Sequence, residues 1–331
     1  MRSGLYVPLD ELTGRRPSAD VAADFLELAA FFAGPGFVRT SDIANEASIG
    51  ADEESSNLDD EMRDGVEELV SEVVQRIGGR SDVLGSEYPF RLDHNGDILS
   101  YEDAADSLGR CAYVLSLVLS NLQAPVLDGS PWRPGESEIR RLRQLFQYVS
   151  TAALAAEVQG VAWSFGFPRP DGSSFLTKLK EIWSSFDDGA VGRKPGAPEH
   201  AKDDEVDVFA ARIHPDRQPG FLFAAAQVAT GRNWRAKSLL GHQGAFNHSW
   251  FADPPVTRFI PYMIIPFAVD DQKFRRDVSK LGNVLHRLRV PRRVSEAHRL
   301  VDAGVKIEAY DRLQEVVAWV VDYRDRVREA A

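Results

Sequence analysis

Cysteine occurs once in the 331 residues, at Cys111, and lysine is missing altogether from the first 130. A single thiol excludes an internal disulfide framework and any cysteine-based zinc site. The missing lysines belong to a wider imbalance. Residues 1–130 carry 25 acidic side chains against 9 arginines, a net −16, whereas residues 131–331 carry 25 against 30 basic ones, a net +5. The total of −11 argues against indiscriminate binding to nucleic acid. The asymmetry predicts an acidic module, 1–130, joined to a mildly basic one, 131–331. No apolar run approaches the ~20 residues that cross a bilayer. The opening MRSGLYVPLDELTGRR lacks a secretory apolar core. The expectation is a cytoplasmic protein with no membrane partner.

Several signatures of chemistry are also absent. There is no GxSxG elbow, no Walker lysine loop and no dinucleotide-type glycine pattern. Cys111 lies in an apolar run, a poor setting for a reactive thiolate. His242 and His248, six apart in GHQGAFNHSWF, do not share a helix face, which removes a histidine zinc pair. The tryptophans at 132, 163, 183, 234 and 250 are scattered, as core packing scatters them.

What is present begins as helix. SADVAADFLELAAFFAG (18–34) opens on a Ser18 cap and ends at Gly-Pro-Gly. Residues 44–57, rich in Ala, Ser, Asp and Glu, read as a linker. From Asp59 an apolar stripe through Val66, Leu69, Val70, Val73, Val74 and Ile77 predicts a helix stopped by Gly78-Gly79. YPFRLDHNGDILSY (88–101) predicts a β-hairpin around Asn95-Gly96, and Ser100 with Asp103 a cap for a helix to about Leu122. The Pro- and Gly-rich stretch 124–137 reads as a second linker.

Beyond it the pattern predicts a helix over 137–158, a strand at 161–167, a helix at 173–186 and strands at 207–213 and 220–229. A helix to Trp250 follows, then a strand at 256–267, a helix at 271–282, a strand at 283–290 and a largely helical remainder. This order implies a mixed α+β or α/β domain, its mixed central sheet flanked by helices, behind a mainly helical domain with a small hairpin.

The candidate chemistry sits at the strand ends. In DDEVDVFAARI, alternation along a strand places Glu205 and Asp207 on one face. A hairpin between 207–213 and 220–229 brings Gln227 near Asp207. Mg²⁺ and Mn²⁺ favour hard oxygen ligands, which Asp207, the Gln227 amide oxygen and the carbonyl of residue 228 can supply.

These residues and the order of elements resemble the PD-(D/E)XK nuclease superfamily, especially Mrr-like restriction endonucleases. The resemblance covers about 137–295 and is carried by EVDVFA and AAAQVA. It implies a core of helix, three-stranded meander, helix and strand. It implies metal ligation by Asp207 and Gln227, with Glu157 of LAAEVQG matching an acid some members take from the first helix. One departure matters: the family lysine falls on Ala229, which shares a face with Gln227. Arg232, Arg235 and Lys237 follow within eight residues. Arginine stays protonated and cannot act as a base, so Arg232 suits charge stabilisation and Lys237 suits the displaced lysine.

Basic residues cluster as well, at Arg140, Arg141 and Arg143 and then at Lys273, Arg275, Arg276, Lys280, Arg287, Arg289, Arg292 and Arg293. Along NVLHRLRVPRR, alternation predicts a strand with a basic face for sequence-independent DNA-phosphate contacts, or else a solvated rim. The reading is a Mg²⁺- or Mn²⁺-dependent DNA endonuclease of bacterial restriction or phage defence. Its alternative is a catalytically degenerate subunit that binds DNA or a partner protein. The acidic region would hold a protein partner or mask the basic face, and the oligomeric state stays open.

Overall fold

The computed structural model describes residues 18–43, 58–124, 126–198, 201–269 and 271–330, so the expected linker 44–57 lies outside them. The chain separates into two compact units, Met1–Ile139 with Val317–Ala331, and Arg140–Val316. Residues 131–139 and 317–331, read in the sequence as part of the second domain, therefore cluster with the first. By this division the first unit holds 30 acidic against 13 basic residues and the second 20 against 26, which sharpens the charge split to −17 and +6.

The first unit packs helix α1 (Ala19–Phe32), α2 (Leu58–Leu84) and α3 (Leu108–Asn121) with a three-stranded antiparallel sheet of β1 (Phe37–Arg39), β3 (Ile98–Tyr101) and β2 (Phe90–Leu92). Ser18 caps α1, its hydroxyl accepting from Val21 N at 3.4 Å. The hairpin turns at Gly96, whose φ of 79° suits glycine. Two expectations change. Helix α2 does not stop at Gly78-Gly79 but continues to Leu84. The cause is Arg80, 1% exposed, which donates to Glu27 at 2.7 Å and pairs with Asp24 at 2.8 Å. Anchoring a buried guanidinium outweighs the ~1 kcal/mol that each helical glycine costs. The cap of α3 is Ser107, which accepts from Arg110 N at 3.2 Å, while Ser100 lies inside β3 opposite Arg91 and Phe37.

The second unit is a mixed α/β structure. Helix α4 (Glu136–Val158) leads into β4 (Val161–Ser164), α5 (Phe175–Trp183, capped by Ser174) and the short β5 (Ala190–Val191). Next come β6 (Val208–Arg212), β7 (Leu222–Val228), α6 (Gln243–Trp250) and β8 (Phe251–Asp253). Strand β9 (Phe259–Ile264), α7 (Asp271–Leu281), β10 (Asn283–Leu285), α8 (Val290–Asp302) and α9 (Gln314–Ala330) complete the chain, α9 crossing back into the first unit. The five-stranded sheet runs β10-β9-β7-β6-β4, with β4, β6 and β7 an antiparallel meander and β9 and β10 added parallel.

Strands β6 and β7 sit in the middle, and their Ala- and Phe-rich runs are buried on both faces. Phe209, Phe223 and Ala225 face a cluster with Trp183 of α5 and Phe246 and Trp250 of α6. The expected strand 283–290 ends at Leu285 instead. His286–Arg289 form a turn and Pro291 falls in the first turn of α8, where its missing N–H costs nothing. Among the described residues no helix is long and apolar enough to cross a membrane.

Candidate functional site at the β6–β7 strand ends

Asp207 stands one residue before β6. Its N–H donates to Ala226 O at 2.8 Å, the residue that Val208 also faces, so Asp207 and Val208 share Ala226 as in a bulge, with Gln227 the next residue along β7. The Asp207 backbone is held from three directions. Its carbonyl accepts from Phe165 N and Gly166 N at 2.8 Å each and from the Gln147 side chain of α4 at 2.6 Å. Its carboxyl oxygen Oδ2 accepts from Val228 N at 2.7 Å. A Cβ on Gly166 would stand 2.5 Å from Asp207 Oδ1, so only glycine lets the chain pass this close.

Part of the residue reaches solvent, yet the Asp207 carboxyl itself is deeply desolvated, and this raises its pKa from the usual 3.8 to about 7. The Val228 N–H and the Lys237 ammonium pull it down, and the Asp203 carboxylate pushes it up. Gln227 is 6% exposed and its amide oxygen has no donor among the described residues. A buried acceptor left without a donor costs roughly 1–3 kcal/mol, so a ligand with positive charge or a hydrogen to give is favoured there.

After β7 the chain stays pinned to β9 through Ala229 N, which donates to Ile264 O at 3.0 Å. Ala229 is sealed at 3% exposure among Trp234, Met263, Ile265, Leu281 and Val284, so no cation stands at the family position. A 3₁₀ turn over Arg232–Ala236 follows, with Asn233 inside it rather than capping a helix, and delivers Lys237 half-buried. Lys237 is the cation whose field reaches Asp207. Arg232 is exposed, and Arg235 is taken by Asp277 at 2.9 Å and by the Trp234 ring at 4.2 Å.

Two expected ligands are not brought to the pair. Glu157 is held by Arg293 at 2.6 Å and by the Tyr262 hydroxyl at 3.4 Å. Tyr262 pairs with Ala226, which alternates with Gln227, so Glu157 lies on the other face of the sheet. Glu205 is not in a strand: with φ of 68° after Asp204 at 47°, it occupies an exposed turn, 4.0 Å from His242 Nδ1. The alternation that aligned it with Asp207 does not apply. Among the described residues no three His, Cys, Asp or Glu side chains gather as a metal cluster. A desolvated carboxyl at Asp207 and an orphaned amide oxygen at Gln227 are hard oxygen donors of the kind a divalent cation favours.

The basic strand face also dissolves. Arg287 is buried at 1% exposure, and Arg289 donates to Val284 O at 3.0 Å with its guanidinium 4.6 Å from the Phe274 ring. Arg292 pairs with Glu296, and Arg293 with Glu296 and Glu157. Arg275 and Arg276 are exposed on α7. Gln147 and Gly166, which fix the Asp207 main chain, carried no signal in the sequence beyond a glycine between aromatics in SFGF. No family model matches the chain, and neither does any curated protein or solved structure.

Proposed function

We propose that the chain is a divalent-metal-dependent DNA nuclease, acting in the cytoplasm in restriction or phage defence. One observation carries this reading: the unpartnered, buried amide oxygen belongs to Gln227, the residue before Val228, whose N–H donates to the desolvated Asp207 carboxyl at 2.7 Å. The sheet order, a three-stranded meander extended by parallel strands, supports it. Asp207 and Gln227 would hold the metal on its protein side. Bound there, Mg²⁺ or Mn²⁺ would polarise a phosphate oxygen and lower the pKa of water. Lys237 keeps Asp207 toward its charged form and would offset charge building on a reacting phosphate. Arg232, exposed on the turn that leads to Lys237, steadies that charge without exchanging protons.

The test is cleavage of duplex and single-stranded DNA in Mg²⁺ or Mn²⁺ by wild type and by Asp207→Ala, Gln227→Ala and Lys237→Ala. Loss of about 100-fold or more in each is the expected result. Cleavage untouched by all three removes the site. A second reading, a nuclease-like subunit that binds without cutting, is favoured by Ala229, sealed where the family lysine is expected. It predicts metal-induced stabilisation that needs Asp207 but no cleavage by the wild type.

A further inference from the structure

Next to Asp207 the chain builds a cationic, aromatic cleft that the metal site does not use. The connection after β4 runs from Gly166, whose N–H holds the Asp207 carbonyl, directly into Phe167, Arg169 and the start of α5. With the segment before β6 it encloses a cleft of about 530 Å³, lined by Phe167, Arg169, Phe175, Arg193, Lys202 and Trp250 among others. That volume falls in the range of small-molecule sites.

Arg169 is the unusual member. It is 6% exposed and rests 4.8 Å from the Phe165 ring centroid and 5.9 Å from that of Phe175. Its acceptors are neutral carbonyls, Ser173 O at 3.3 Å and Lys202 O. Its Nε has no acceptor, and it forms no ion pair among the described residues. An arginine cannot shed its proton to escape burial; the carboxylates of Asp203, Asp171 and Glu308 lend it their field without pairing, and its Nε stays open to a further acceptor. Arg193 and Lys202 add two exposed cations along the same cleft. At the mouth Phe167 is 59% exposed, with Lys202 Nζ 5.5 Å from its ring centroid. An exposed aromatic ring beside cations offers a face for a base and charge for its phosphate.

We propose that this cleft binds one nucleotide of a single-stranded DNA segment, the base stacking on Phe167 and the phosphate meeting Arg193 and Lys202 in the field of Arg169. A base inside a duplex has no free face, so the cleft selects unpaired strand. This names the substrate form of the Asp207 site and rests on the nuclease reading for that link; the binding itself does not.

The experiment measures equilibrium binding of the full chain in EDTA by fluorescence anisotropy. The probes are a labelled oligo-dT, a labelled duplex and unlabelled dTMP as competitor. Wild type is expected to prefer oligo-dT to duplex. Phe167→Ala, a change at an exposed ring, should weaken oligo-dT by roughly 5- to 100-fold and leave duplex binding unchanged. Replacing Arg193 and Lys202 together by Ala should flatten the salt dependence by about 0.7 per lost phosphate contact. Equal binding of duplex and single strand, or no effect of Phe167→Ala, overturns the proposal. Displacement by dTMP at the same concentration per nucleotide also overturns it, in favour of a free nucleotide. Phe167-dependent strand binding with no cleavage in any metal keeps this inference and removes the nuclease reading. Duplex cleavage indifferent to Phe167 does the reverse.

Discussion

Asp207 holds its proton far more tightly in the folded chain than a solvated carboxyl does, with a pKa of about 7 in place of 3.8. The unfolded chain releases that proton near pH 4 and the folded chain only near pH 7. Stability from this group is therefore present below pH 4 and lost as pH rises through 7. Asp207→Asn keeps an acceptor for the Val228 N–H and removes the buried charge. It should raise Tm at pH 8 and change it little at pH 4, as scanning calorimetry would show; a lower Tm at pH 8 would mean the carboxylate is already compensated. A divalent cation competes with that proton. Mn²⁺ should thus raise the wild-type Tm more at pH 8 than at pH 6, and should not raise that of Asp207→Asn. The placement of Asp207 and Gln227 at neighbouring ends of β6 and β7 was legible because both close apolar strands that pair as a hairpin. Glu205 was not, because a left-handed turn two residues earlier breaks the alternation. Glu157 misled because a helix gives no hint of which sheet face its last turn covers.

Helix ends carry a different kind of information. Ser107→Ala should cost about 1 kcal/mol of unfolding free energy, since it removes the acceptor for Arg110 N, whereas Ser100→Ala should cost much less. Denaturant titration of the two variants separates them. Both serines stand ahead of the same apolar run, and the sequence reading took Ser100; pairing of Ser100 in β3 leaves the cap to Ser107. Helix α2 shows the reverse case, a stop signal overridden by packing. Arg80 sits one residue past Gly78-Gly79, and its partners Glu27 and Asp24 lie more than fifty residues away. Tyr88 and Tyr113 donate to the same Glu27 carboxylate, at 2.7 and 2.8 Å. Arg80→Ala would leave two buried acids without their cation, and a loss of about 3–5 kcal/mol is expected in the same titration. No local pattern announces such a network, because its members are separated along the chain and ordinary in type. The strand expected at 283–290 failed for a third reason: Pro291 opens a helix, and the alternation of Arg287 and Arg289 was coincidental.

At the scale of the molecule, the −17 and +6 units are not consecutive pieces of chain. Residues 317–330 return to the first unit, where the Tyr323 hydroxyl donates to Trp132 O at 2.6 Å and its ring lies 5.4 Å from Phe32. Trp319 donates to Glu138 at 2.8 Å, and Arg328 to Ala33 O at 2.5 Å. A fragment 140–316 should therefore unfold more cooperatively than a fragment 131–331, which keeps Trp132 and Glu138 but strips Tyr323 of Phe32 and Arg328 of Ala33. Calorimetry and limited proteolysis of the two fragments check this. If the acidic unit masks a basic surface, 140–316 should also bind DNA more tightly than the whole chain at fixed salt. The nesting bears on synthesis too. Domains ordinarily fold from the N-terminus as they emerge. Here residues up to 139 lack part of their unit until 317–330 follow, so the site-bearing unit 140–316 can finish while the other still waits for α9.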